Sequence, residues 1–200
     1  MKKKLFQLAV LLVLWLLILP YLFRKLTVGE VSLLSDSITA VVGIIFMRDS
    51  FKARPKFKTF VMWLILGFAF ILAESAVTGY LFNKFHIVQT TNDARISQAI
   101  KQSPLAILLS GCIAAPFTEE IIFRGYIFSI TDELCERKRL SPTSAYLFSS
   151  AVFAAMHSPS SLVMAVPYFF AGLIFAAAYD QGSIHCSIGV HMLNNMMALL

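Results

Sequence analysis

Long apolar stretches run along the whole chain, separated by short clusters of Lys, Arg, Ser, Pro and Asp. A helix needs about 20 predominantly apolar residues to cross a bilayer core, within a range of about 17–25. By that length the pattern predicts spans near 5–23, 31–47, 60–82, 104–129, 143–157, 162–179 and 184–200. The segment 83–103, NKFHIVQTTNDARISQAIKQS, breaks the pattern and predicts a polar external loop with a short interfacial helix. The expected architecture is all-α, a polytopic membrane helical bundle of about six to eight transmembrane helices. The first run follows Met1-Lys2-Lys3-Lys4. It is long for a signal-peptide core, keeps bulky residues to its end and lacks a small-x-small cleavage site, so it reads as an uncleaved span.

Composition strengthens this reading. Of 200 residues 58% are hydrophobic and 14% charged, with a mean hydropathy of +0.75, whereas soluble domains carry about 25% charged residues. The length suits one bundle, with residues 1–103 as N-terminal helices plus external loop and 104–200 as the part that carries polar motifs. Cys112, Cys135 and Cys186 are far apart, none in a CxxC pair. They read as packing residues and signal neither a disulfide framework nor a cysteine metal site. The net charge of +6 reads as orientation. With the N-terminus cytoplasmic, the inner segments hold Lys2 to Lys4, Arg48 to Lys58 and Arg137 to Arg139, and the outer ones only Arg24, Lys25, Lys84, Arg95 and Lys101. That bias places the N-terminus inside and the C-terminus outside. No basic stripe interleaved with aromatics points to nucleic acid; the partners implied are the lipid bilayer and whatever acts within it.

One apolar run contains charges. PFTEEIIFRG, from Pro116 to Gly125, places Glu119, Glu120 and Arg124 inside a span. Each charge at a helix centre costs about 2.5–3.5 kcal/mol on insertion scales. Glu120 and Arg124, four apart with the Glu first, can pair on one face. Glu119 is rotated from Glu120 by about 100° and needs another partner. Two further spans carry polar groups: SSAVFAAMH puts Phe153 and His157 four apart, and SIGVHMLNNMMALL puts His191 and Asn195 on one face, with Asn194 turned away. Each taken alone has a plain alternative as a helix-packing pair, a polar clamp or an interfacial histidine. At about 1.5 Å per residue, Glu119, His191 and His157 lie roughly 16, 12 and 20 Å from the cytoplasmic ends of their spans. All three therefore reach a common layer near mid-membrane.

A carboxylate in a low-dielectric pocket suits a general base. Water activated by Glu119 with His157 would attack a carbonyl, and His191 and Asn195 would donate to the oxyanion. Alternatively Glu119, His157 and His191 would bind a divalent metal such as zinc, leaving a position for water. Ligand types alone leave both schemes open, so the cofactor is a divalent metal or none. No His-Glu-x-x-His helix, no Gly-x-Ser-x-Gly elbow and no second intramembrane aspartate in a Gly-x-Gly-Asp setting is present. Glu74, alone in its span, lines a path or pairs with a hydroxyl. Asp36 and Asp180 are expected near interfaces, His185 off the site face, and Gly43, Gly67, Gly79 and Gly172 at close helix contacts.

EEIIFR (Glu119 to Arg124), FAAMH (Phe153 to His157) and HMLNN (His191 to Asn195) resemble, in order and spacing, the three motifs of the CPBP family. This is the CAAX protease and bacteriocin-processing group, also called the Abi or type II CAAX prenyl endopeptidase family. The resemblance covers roughly residues 104–200 and implies a membrane-embedded hydrolase, an intramembrane endopeptidase acting on a membrane-associated peptide or protein. It implies Glu119 as the catalytic glutamate, His157 as its partner, and His191 with Asn195 as oxyanion donors. Glu120, Arg124 and Phe153 would support them. The family is labelled metalloprotease, and a metal-free glutamate mechanism is argued for it too. Bacterial relatives are linked to bacteriocin self-immunity, peptide maturation and signalling. Two rivals differ in class: a non-catalytic immunity protein that binds a bacteriocin or its receptor, and a proton-relay transporter.

Overall fold

The computed structural model describes residues 1–86, 91–157 and 162–199. Part of the expected external loop, residues 87–90, and the last residue of the expected seventh span lie outside the described residues. Among the described residues the regular structure is helical throughout. The principal helices are α1 (Lys2–Leu22), α2 (Val28–Phe46), α3 (Phe57–Lys84), α4 (Thr91–Gln102), α5 (Pro104–Lys138), α6 (Thr143–His157), α7 (Leu162–Gln181) and α8 (Ile184–Leu199). Among the described residues five helices, α1, α2, α3, α5 and α7, are long and apolar enough to cross a membrane. The apolar helices α6 and α8, of 15 and 16 residues, are shorter than a full crossing requires. The protein is thus a multi-pass membrane bundle. Its outer faces carry exposed Phe6, Leu17, Val41, Ile45 and Ile65, a surface that suits lipid chains and not water.

Local sequence explains the helix ends and irregularities. Thr27 caps α2 in a capping box: the Thr27 hydroxyl accepts from the Glu30 N–H, and the Glu30 carboxylate accepts from the Thr27 N–H at 2.9 Å. α1 and α5 each widen into a π-helical turn, at Leu14–Ile18 and Ser110–Ala114. Pro20 and Pro116 follow these turns. A proline ring inside a helix clashes with the carbonyl four residues back, here Leu16 and Cys112, and the wider turn relieves that clash. A longer π segment, Ile121–Phe128, follows the Glu pair in α5.

α2 packs along the first half of α5, α6 packs on α7, and α8 is held between α3, α7 and α5. The core between them is built from Ile121, Ile122, Phe123, Phe153, Phe175 and Val190, each at most 2% exposed. Small residues set the close approaches. A Cβ on Gly172 would sit 2.8 Å from Ser150 Cβ and 2.9 Å from its Cα. One on Gly67 would meet Val190. Gly79 departs from the expectation: among the described residues a Cβ there would meet nothing within 4 Å, so it mediates no helix contact with them. Gly172→Ala should destabilise the bundle by about 1–3 kcal/mol through overpacking of α7 on α6. Gly79→Ala should not, and thermal unfolding of the two variants in one detergent compares them directly.

Candidate active site

Helix α5 carries both glutamates into the core. The Glu120 side chain is fully buried and meets donors from three directions. Arg124, one turn on, approaches Glu120 Oε1 at 3.0 Å through Nη1. His191 of α8 places Nδ1 2.8 Å from the same oxygen. Ser187, one turn before His191, donates its hydroxyl to Glu120 Oε2. Arg124 is itself fully buried; its Nη2 donates to the Gly172 carbonyl at 3.0 Å. Its guanidinium lies 4.7 Å from the Phe153 ring centroid and 5.2 Å from that of Phe175. The counter-charge, the carbonyl and the aromatic faces make a buried charge tolerable here, with Nε the one guanidinium nitrogen that has no hydrogen-bond partner among the described residues.

Glu119 faces the other way, into a cavity. Its Oε2 lies 3.5 Å from His157 Nε2 and 3.7 Å from His191 Nε2. That oxygen is buried, and among the described residues no donor meets it in hydrogen-bond geometry. His157 Nδ1 lies 2.9 Å from the Phe153 carbonyl. A carbonyl only accepts, so Nδ1 carries a proton, and Nε2 is the nitrogen turned toward Glu119. Phe153 (4.3 Å between ring centres) and Tyr168 (5.0 Å) pack on the His157 ring, and Phe175 stacks on His191 at 4.4 Å. The imidazoles are therefore held in place by aromatic faces. Asn195 donates its amide to the Gly111 carbonyl at 2.8 Å, and Asn194 donates to Asn195 Oδ1 at 3.2 Å. The cavity measures about 560 Å³ and is lined by Glu119, His157, His191, Asn194 and Asn195 among others.

The residues singled out in the three motifs thus stand together, and two positions depart from expectation. Asn194, expected to turn away, lines the cavity beside Asn195. Asp36, expected near an interface, is 5% exposed and lines the same cavity. Among the described residues no three His, Cys, Asp or Glu side chains stand grouped as a ready-made set of metal ligands. His191 commits Nδ1 to Glu120, which leaves its Nε2 on the side of Glu119. Glu74 accepts from the Thr78 hydroxyl, one of the two roles open to it. His185 lies against Phe51, 5.6 Å between ring centres, away from the site. Ser187, Phe175 and Tyr168 were not anticipated. Only Ser187 had a visible signal: it precedes His191 by four and Asn195 by eight, which places all three on one helix face.

Residues 101–197, which contain all three motifs, match the family described as type II CAAX prenyl endopeptidase Rce1-like. The UPF0177 protein YvdC of Lactococcus lactis subsp. lactis (strain IL1403) is 26% identical over 171 residues, covering 84% of this chain and 61% of YvdC. The UPF0177 protein YxdF of the same strain is 30% identical over 125 residues, covering 60% of this chain and 64% of YxdF. YdiL of Bacillus subtilis (strain 168), named as a candidate membrane peptidase, is 29% identical over 145 residues, covering 70% of this chain and 55% of YdiL. The matched parts amount to less than two thirds of the length of each of these curated relatives. No solved structure matches the chain.

Proposed function

We propose that this chain is an intramembrane endopeptidase that hydrolyses peptide bonds of a membrane-associated protein or peptide, with Glu119 as the base that activates water, a reading supported by the match of residues 101–197 to the Rce1-like type II CAAX prenyl endopeptidase family. One observation carries the reading. Glu119 Oε2 and His157 Nε2 face each other 3.5 Å apart on the wall of the cavity. In the neutral state of His157, with the proton on Nδ1, both are acceptors and need a donor between them. Water has two protons and fits the arrangement.

The steps follow from that placement. Glu119 takes one water proton while His157 Nε2 accepts a hydrogen bond from the other, which aims the oxygen lone pair at the carbonyl carbon. The new C–O bond turns the carbonyl into an oxyanion. Glu119 then returns its proton to the leaving nitrogen as the C–N bond breaks, giving a carboxylic acid and an amine. The oxyanion needs donors within the cavity. His191 supplies one when Nε2 carries a proton, with Nδ1–H held by Glu120. In that state Glu119 and Glu120 are balanced by Arg124 and His191, and the buried cluster is neutral. The second amide proton of Asn195, the one not given to Gly111, is a further donor. The N-terminus lies on the cytoplasmic side in this reading, by the Lys and Arg bias.

Terminal-peptide mass spectrometry on membranes and medium from cells making wild-type protein or Glu119→Ala at matched levels tests the proposal. New peptide ends that need Glu119 are expected. Identical profiles, with an immunity phenotype still intact in the variant, would sink the peptidase reading in favour of a binding protein.

A further inference from the structure

The cavity that holds Glu119 has a second wall without a motif residue. Trp15 of α1, Ser32, Ser35 and Asp36 of α2, and Ser97 of α4 line that side. The Asp36 carboxylate accepts from Trp15 Nε1 at 2.8 Å and from Ser110 Oγ at 2.6 Å. Both donors are neutral, and they use two of the roughly four acceptor positions of a carboxylate. The Asp36 backbone carbonyl accepts from the hydroxyl of Thr118, the neighbour of Glu119, at 2.7 Å. That bond fixes the register of α2 against α5, so the spacing between the two carboxylates is built into the fold. Ser35, beside Asp36, is 3% exposed and also lines the cavity. Its hydroxyl has no hydrogen-bond partner among the described residues.

Charge accounting separates Asp36 from the other acids. Glu120 is matched by Arg124, and Glu119 faces two imidazoles. No Lys or Arg is among the described residues lining the cavity. Asp36 is left with neutral dipoles alone, in a setting where a bare carboxylate is costly. A volume of about 560 Å³ is in the range of pockets that enclose a ligand.

We infer that Asp36 is a specificity-determining residue: it receives a cationic nitrogen of the substrate, from a Lys or Arg side chain or a free amino terminus, while a nearby peptide bond lies at Glu119. The inference rests on the peptidase reading for its substrate, and its test is separable from that reading. Membrane-soluble peptides of matched length and hydropathy, carrying Lys, Gln or Glu at one scanned position and with free or acetylated amino termini, are bound to purified Glu119→Gln protein in nanodiscs. That variant holds substrate without cutting it and isolates Asp36 as the cavity's acid. The Lys peptide, or the free-terminus peptide, should bind at least about tenfold more tightly than its neutral counterpart, and acetylation tells which nitrogen is read. Asp36→Asn, which can still accept from Trp15 and meet Ser110, should bring that ratio to about one in the same background; Asp36→Glu should restore it. Equal affinities for Lys and Gln peptides and for free and acetylated termini, or a preference that survives Asp36→Asn, would overturn the inference. Wild-type protein that binds cationic peptides through Asp36 and cuts none would leave the cation site standing and remove the peptidase reading.

Discussion

Glu119→Gln should lower turnover of a cleaved peptide by about 10²–10⁴-fold, the range that a positioned general base contributes. The change removes one charge and almost no volume, so the packing around Glu119 has little reason to move. KM should stay within about threefold, because Glu119 acts on the water and not on the resting substrate. The split between kcat and KM distinguishes this from a structural role, in which both would fail together with the fold. His157→Gln should follow the same split with a smaller loss. It keeps a hydrogen-bonding group near the water but loses the tautomer fixed by the Phe153 carbonyl. Full turnover in Glu119→Gln, measured on purified protein with one defined peptide, would remove Glu119 from the reaction. The water would then need another base, and among the described cavity residues only His157, His191 and Asp36 offer one.

The convergence of Glu119, His157 and His191 was legible because each sits at a similar depth in an apolar run, and depth is fixed by rise per residue. The Glu120–Arg124 pair was legible for an even simpler reason, since four residues on a helix face bring the groups together. Asp36 was misplaced because the apolar pattern suggested a span starting near residue 31. The capping box starts the helix at Val28 instead. Asp36 then lies about 12 Å along the helix rather than near its end. The rule that an intramembrane charge marks a function would have flagged it, had the start been right. The end of α5 was missed in the opposite sense: the helix runs on to Lys138, well past the apolar run, through SITDELCERK. A helix does not stop where lipid does, and nothing in those residues breaks one. Phe175 and Tyr168 had no local signal at all. Their stacking on the two imidazoles arises from how α7 crosses α6 and α8, which no spacing within α7 encodes.

The buried pair behind the site carries the second large effect. Arg124→Met should destabilise the bundle by about 3–5 kcal/mol, the range for removing one partner of a buried ion pair. Methionine fills much of the space of the arginine stem, so the loss is electrostatic more than steric. It leaves the Glu120 carboxylate with only His191 and Ser187, and it leaves the Gly172 carbonyl without its donor. The double variant Glu120→Gln with Arg124→Met should recover most of that stability, because no unpaired charge remains in the core. It should not recover turnover. A glutamine can accept from His191 Nδ1 yet gives no negative charge to hold the imidazolium that stabilises the oxyanion. Unfolding curves in one detergent, read beside peptide turnover, separate the two contributions. Stability regained without activity assigns the pair to charge balance at His191. Stability and activity regained together would mean that His191 works without a proton on both nitrogens, and the oxyanion would then rest on the Asn195 amide.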